Sequence, residues 1–186
     1  MKNKELIQLM QSDFDSGESL PNIFEKYKNN NVKEKRLAYF VASLKDKSLI
    51  EKYKNANKVL VGIMVVLTIF TAFTGYAIGS EVTPESALYW TAIAIIPALF
   101  VYGFIKINYQ AYLVYILLCI SQFHKNFVGF GTDMAADIIG LIISISILAL
   151  VWFLKSKLFP YMGFIGPKKN QDKRYLVEVN SFQAEL

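Results

Sequence analysis

The sequence predicts an all-α integral membrane protein, a four-transmembrane-helix up-down bundle with a small helical N-terminal cytosolic domain. Three observations carry that prediction. Four apolar stretches, 59–79, 87–105, 107–123 and 138–154, divide the chain. A bilayer core about 30 Å thick needs roughly 20 helical residues to cross it, and the first, second and fourth stretches meet or approach that length. Next, 19 of the 20 Lys and Arg residues fall before the first stretch, between the second and third, or after the fourth, with Lys125 the exception. Cytoplasmic loops retain Lys and Arg, so both polar ends are expected inside and the crossings even in number. Last, a hydrophobic fraction of 54% is clustered between a polar head and a polar tail, unlike the even spread of a soluble domain. The expected organisation is a cytoplasmic helical domain at 1–57, a membrane bundle at 58–157, and a cytoplasmic interfacial segment and tail at 158–186.

Within the head, Leu6, Ile7, Met10 and Phe14 lie three and four apart, the spacing of one helix face. Asp15-Ser16-Gly17 reads as a turn. Ser19-Leu20-Pro21 starts a second helix, since proline is tolerated in a first turn. Its apolar face is Leu20, Ile23, Phe24 and Tyr27, and Asn29-Asn30-Asn31 ends it. Val32, Leu37, Phe40, Val41 and Leu44 mark a third helix. Asp46 or Ser48 is the expected cap of a fourth, which runs toward the first span. Residues 19–29 and 32–44 have the element order of a helix-turn-helix, with Lys33, Lys35 and Arg36 as phosphate contacts. The turn lacks glycine and Glu34 interrupts the positive run, so a protein-contacting adapter is the favoured reading and no nucleic-acid partner is expected.

The first apolar stretch begins after nearly 60 mostly polar residues, and is therefore expected to be an uncleaved signal anchor. Gly75 and Gly79 in it form a small-residue pair that permits close helix approach. Thr68, Thr71 and Thr74 repeat every three residues. Hydroxyls bonded back to their own helix are the plain reading of that repeat. The loop 80–86 holds Glu81 and Glu85 and no base, so it is expected to face outward. Pro97 sits in the middle of the second stretch and predicts a kink, because proline lacks the amide donor. A very short turn at 106–110 makes the second and third stretches a tight hairpin. Tyr109, Tyr112 and Tyr115 recur every three residues and are expected as an aromatic stripe anchored at the interface.

The third stretch is the shortest and most polar, with a hairpin half-buried in the interface as its alternative. Gly140, Ser144 and Ser146 are the small or polar contacts of the fourth, followed by Lys155 and Lys157 as inside anchors. Beyond it, 159–167 is apolar but broken and is expected against the inner interface. Tyr175, Val177 and Val179 alternate with polar neighbours, a strand signal that would pair with 163–165.

Chemistry is sparse. His124 is the single histidine, and with Asp133 and Asp137 it forms an outer-loop polar cluster whose spacing demands no ion. The P-loop, H-E-x-x-H and G-x-S-x-G patterns are absent. No metal, cofactor or catalytic residue is assigned. The four stretches contain no Asp, Glu, Lys, Arg or His, which argues against a proton-driven transporter and a paired-aspartate protease. Cys119 is alone and reads as a packing residue.

The expected role is a non-enzymatic scaffold or regulatory partner of a membrane complex, with Gly75, Gly79, Gly140 and Ser144 as helix-packing positions. The alternative is an oligomeric channel or small transporter, with a polar path through Thr68, Thr71, Ser144 and Ser146 near Pro97. A further alternative, resting on size and span number alone, is an immunity protein against a pore-forming toxin. The expected partners are the lipid bilayer and a membrane or cytosolic protein, or a second copy of the chain. The expected location is a bacterial inner membrane with both termini cytoplasmic.

Overall fold

A computed structural model describes residues 3–30, 32–123 and 134–178. These residues are helical throughout their long elements, and no strand occurs among them. They divide into two compact units. One joins the chain up to Tyr53 with the chain from Lys155 onward, and the other is 54–154.

The first unit begins with α1 (Asn3–Asp15), α2 (Leu20–Tyr27) and α3 (Glu34–Ala42). Leu6 and Met10 of α1, Ile23 and Phe24 of α2, and Leu37 and Val41 of α3 are buried and form its core. Gly17 joins α1 to α2 at φ +99°, a conformation that costs glycine little because it lacks a Cβ. Ser19 caps α2 by accepting from the Asn22 amide at 3.5 Å. The Gln11 side chain pairs both ways with the Lys45 backbone, donating at 3.0 Å and accepting at 2.9 Å. Asp46 accepts from the Ser48 and Leu49 amides at 2.7 and 3.3 Å, and so caps α4 (Lys47–Val82).

The tail completes this unit. After α8 (Met134–Leu158), isolated bridges pair Met162 with Pro167 and Lys169 with Tyr175. A short 3-10 turn, Leu176–Glu178, then packs on α2 and α3, with Val177 buried. The alternating pattern from Tyr175 is therefore not a strand, and Tyr175 pairs with Lys169 rather than with 163–165. One apolar side chain inserted between two helices satisfies the same pattern as a strand face. Val179 lies outside the described residues.

In the second unit, α4 is followed by α5 (Pro84–Thr91), a 3-10 turn (Ala92–Ala94), α6 (Ile95–Ile105), α7 (Tyr109–Gln122) and α8. Three segments are long and apolar enough to cross a membrane: Lys47–Val82, Pro84–Ile105 and Asp137–Leu158. The fourth apolar helix, α7, has 14 residues. At 1.5 Å per residue it is about 21 Å long, short of a bilayer core. The 3-10 turn lies just before Pro97, which cannot donate to the Ile93 carbonyl, so the helix tightens there. Between α6 and α7 the chain reverses through Ile107 at φ +47°, and Asn108 caps α7 by accepting from the Gln110 amide at 3.0 Å.

Candidate functional site

Two built features distinguish the membrane unit. The first is a glycine seam. A Cβ on Gly75 would stand 2.6 Å from the Trp90 carbonyl oxygen, and one on Gly79 would stand 2.5 Å from the Ala87 Cα. Both obstacles are backbone, so α4 and α5 approach this closely only because both positions are glycine. Gly103 of α6 faces Ala111 of α7, where the obstacle is the Ala111 Cβ rather than backbone. Gly140 differs, since a Cβ there meets nothing within 4 Å.

The second is a buried polar tie. The Asn57 side-chain amide donates to the Phe104 carbonyl at 3.1 Å, and the Tyr112 hydroxyl donates to the Asn57 side-chain oxygen at 2.6 Å. Tyr112 is fully buried and Asn57 is 8% exposed. Buried amides and hydroxyls are costly without partners, so this tie fixes α4 against the α6–α7 hairpin in one register. Phe104 packs its ring 4.8 Å from that of Tyr112, and Phe100 meets Tyr115 edge-on at 5.1 Å. The tyrosines at 109 and 112 are thus buried packing residues, not an anchoring stripe. Sequence reasoning passed over Asn57 at the end of the polar head. Its signal was there: Asn57, Leu60 and Met64 lie on one helix face, and all three are buried.

The hydroxyls named for a polar path each donate back to their own helix. Thr68 donates to the Met64 carbonyl, Thr71 to Leu67, Ser144 to Gly140 and Ser146 to Ile142, at 2.7 to 2.8 Å. Both threonines are half-buried, and both serines are exposed. A cleft of about 270 Å³ lies between α4, α7 and α8, lined by Leu67, Tyr115, Cys119, Gln122, Ser144 and Leu148 among others. Ser144 is the one residue of the path that lines it; Thr68, Thr71, Ser146 and Pro97 do not. Among the described residues its lining is apolar apart from Tyr115, Cys119, Gln122 and Ser144.

Of the outer-loop cluster, His124 and Asp133 lie outside the described residues. Asp137 stands in the first turn of α8, where a carboxylate favours the helix dipole. Among the described residues no group of three or more His, Cys, Asp or Glu is placed to hold a metal ion.

Charge chemistry is concentrated in the first unit. Asp13 accepts from Lys26 at 2.8 Å and from the Tyr27 hydroxyl at 2.7 Å. The Lys26 ammonium, with help from Tyr27, holds the Asp13 carboxyl below the usual carboxylate range. Lys47 pairs with Asp15 at 3.0 Å and lowers it likewise. Glu178 is the opposite case. Burial, reinforced by Glu34, pushes its carboxyl up. One of its oxygens is buried without a hydrogen-bond partner among the described residues.

No protein-family model matches the chain, and neither a curated protein nor a solved structure matches it.

Proposed function

We propose that this chain is a four-crossing membrane protein with both ends in the cytoplasm, acting as a non-enzymatic scaffold or regulatory partner of a membrane complex in a bacterial inner membrane. One observation carries the topology. The chain before α4 and the chain after α8 fold into a single unit, so both helices leave from the same side. An odd number of crossings cannot return the chain to where it began. Three long helices with a shared end unit support an even number of crossings, and α7 is the remaining apolar helix among the described residues. The side itself follows from the Lys and Arg residues, which sit with this unit rather than with the outer loops.

The same unit favours binding over transport. It is a folded body with its own core, attached to helices whose threonine and serine hydroxyls are bonded to their own backbones. Large apolar side chains on α8, among them Ile139 and Ile142, face outward, as lipid-facing or partner-facing residues do. The deciding experiment is purification of the full chain in a gentle detergent with native mass measurement. A stoichiometric second protein supports the scaffold reading. A homo-oligomer without another protein moves the weight to the channel reading, which ion flux in liposomes then tests. Reporter fusions at both ends test the topology, and opposite-side signals would refute it.

A further inference from the structure

A basic cleft of about 300 Å³ opens in the first unit between the start of α3 and the loop after α8. Lys33, Lys35, Arg36 and Tyr39 line one side, and Ile165, Gly166 and Pro167 the other. Among the described residues no carboxylate lines it; Glu34, between two of the cations in sequence, is not part of the lining. All three cations are exposed. Arg36 stacks its guanidinium 5.6 Å from the Phe40 ring, which holds that charge in place. The loop adds large apolar side chains beside the charges: Ile165 is 68% exposed and Phe164 is 39% exposed.

We propose that this cleft is a binding site for the headgroup of an anionic phospholipid. It rests on the membrane reading above and adds a specific lipid contact to it. The ligand must be negatively charged, because three cations line the cleft and no acid does among the described residues. It must also be amphipathic, because the facing wall is Ile165, Gly166 and Pro167. Location selects the lipid among such ligands. The last turn of the apolar helix α8, ending at Leu158, belongs to this same unit. Seven residues of chain reach at most about 25 Å, so Ile165 stays within that distance of the end of a membrane-spanning helix. The cleft volume is at the lower end of small-ligand sites, about 300–1,000 Å³, and suits a phosphate with its glycerol rather than a whole lipid. Lys33, Lys35 and Arg36 hold the phosphate, while Ile165 and Pro167 cover the start of the acyl region.

The test uses the full chain in phosphatidylcholine nanodiscs, with phosphatidylglycerol titrated in and bound lipid read by native mass spectrometry. Wild type is expected to retain a tightly held phosphatidylglycerol. Lys33→Gln/Lys35→Gln/Arg36→Gln should weaken it roughly a hundredfold, taking the effect of each basic residue near a membrane surface. Ile165→Ser should weaken it by a smaller factor, which bulk charge attraction would not produce. Lys52→Gln/Lys54→Gln/Lys58→Gln removes the same charge from elsewhere on the chain and should leave the bound lipid unchanged. These positions are exposed on the surface, and circular dichroism checks that each variant folds. Equal binding by wild type and the cleft variant overturns the proposal, as does an equal loss in the Lys52, Lys54 and Lys58 variant. Displacement by inorganic phosphate at matched concentration would make the ligand a free anion, and displacement by an acidic peptide would make it a protein segment; either result overturns the lipid. A chain that fails to enter nanodiscs at all refutes the membrane reading, which is a different outcome from a chain that enters and shows no preference.

Discussion

Gly75 with Gly79 and Gly140 with Ser144 share one sequence signature, two small residues four apart on an apolar helix, and the structure treats them differently. The first pair lies against the Trp90 carbonyl and the Ala87 Cα, so no side chain fits. At Gly140 the space is open, and Ser144 is exposed with its hydroxyl bonded back to Gly140. Small-residue spacing permits close approach; only a facing backbone uses it. Within the described chain, α4 has such a partner at its glycines and α8 has none at Gly140.

The sharpest way to break this comparison is to fill both sites. Gly79→Ala should destabilise the membrane unit by about 1–3 kcal/mol, because the obstacle is backbone and cannot rotate away. Adding Gly75→Ala should deepen the loss. Unfolding in detergent, followed by tryptophan fluorescence, reads the difference, since Trp90 sits at the seam. An unchanged midpoint for Gly79→Ala would show that α4 and α5 do not meet there.

The second expectation concerns the other contact along α4. Asn57→Ala removes the acceptor of the Tyr112 hydroxyl and one of the donors to the Phe104 carbonyl, and should cost about 1–2 kcal/mol. Tyr112→Phe removes one hydrogen bond while keeping the ring, and should cost less. A double-mutant cycle gives the coupling directly, and additive losses would mean the two side chains do not interact.

Smaller effects come from the first unit, where the pH dependences run in opposite directions. Asp13 titrates lower in the folded chain than in the unfolded one. Its contribution is complete above the unfolded value of about 3.9 and is lost as pH falls through the folded value. Glu178 titrates higher when folded. Its packing is most favourable below about 4.3, the unfolded value, and weakens as pH rises through the folded value. Glu178→Gln should therefore increase hydrogen-exchange protection of the Leu176–Glu178 turn at neutral pH and flatten its pH dependence. Asp13→Asn should reduce the stability of α1 and α2 at neutral pH and leave it unchanged in strong acid.

The smallest effect completes the comparison. Gly140→Ala should be neutral or stabilising by up to about 1 kcal/mol, from helix propensity alone. A large loss in the same detergent assay would reveal a neighbour for α8 and make its small residues a packing surface after all.

Local features of the fold were legible in the sequence because they have local causes. The Ser19 and Asp46 caps, the Gly17 turn and the disturbance before Pro97 each follow from one residue and its immediate backbone. The three long apolar helices follow from composition. What could not be read was the identity of facing surfaces. Tyr112 finds Asn57 across 55 positions, and periodicity says which face is apolar without saying what it meets. The strand pattern at Tyr175–Val179 failed for the same reason, since Val177 inserts against two helices rather than joining a sheet. The plain reading of the threonine repeat was also local: the hydroxyls of Thr68 and Thr71 donate one turn back along the same helix.

The docking of Val177 on α2 and α3 imposes an order on biosynthesis. Helices made before α4 share their core with residues made after α8. At about 5–20 residues per second, synthesis of the intervening chain takes roughly ten seconds. Through that interval the face of α2 and α3 that receives Val177 stays uncovered, and on the proposed topology it closes only after α8 has crossed back to the side of α2 and α3. A chain inserted with one segment missing would present its tail to the opposite compartment and leave that face open. Closure of the first unit therefore waits on the whole of α4 to α8 having been made, and until then its receiving face is an exposed apolar surface.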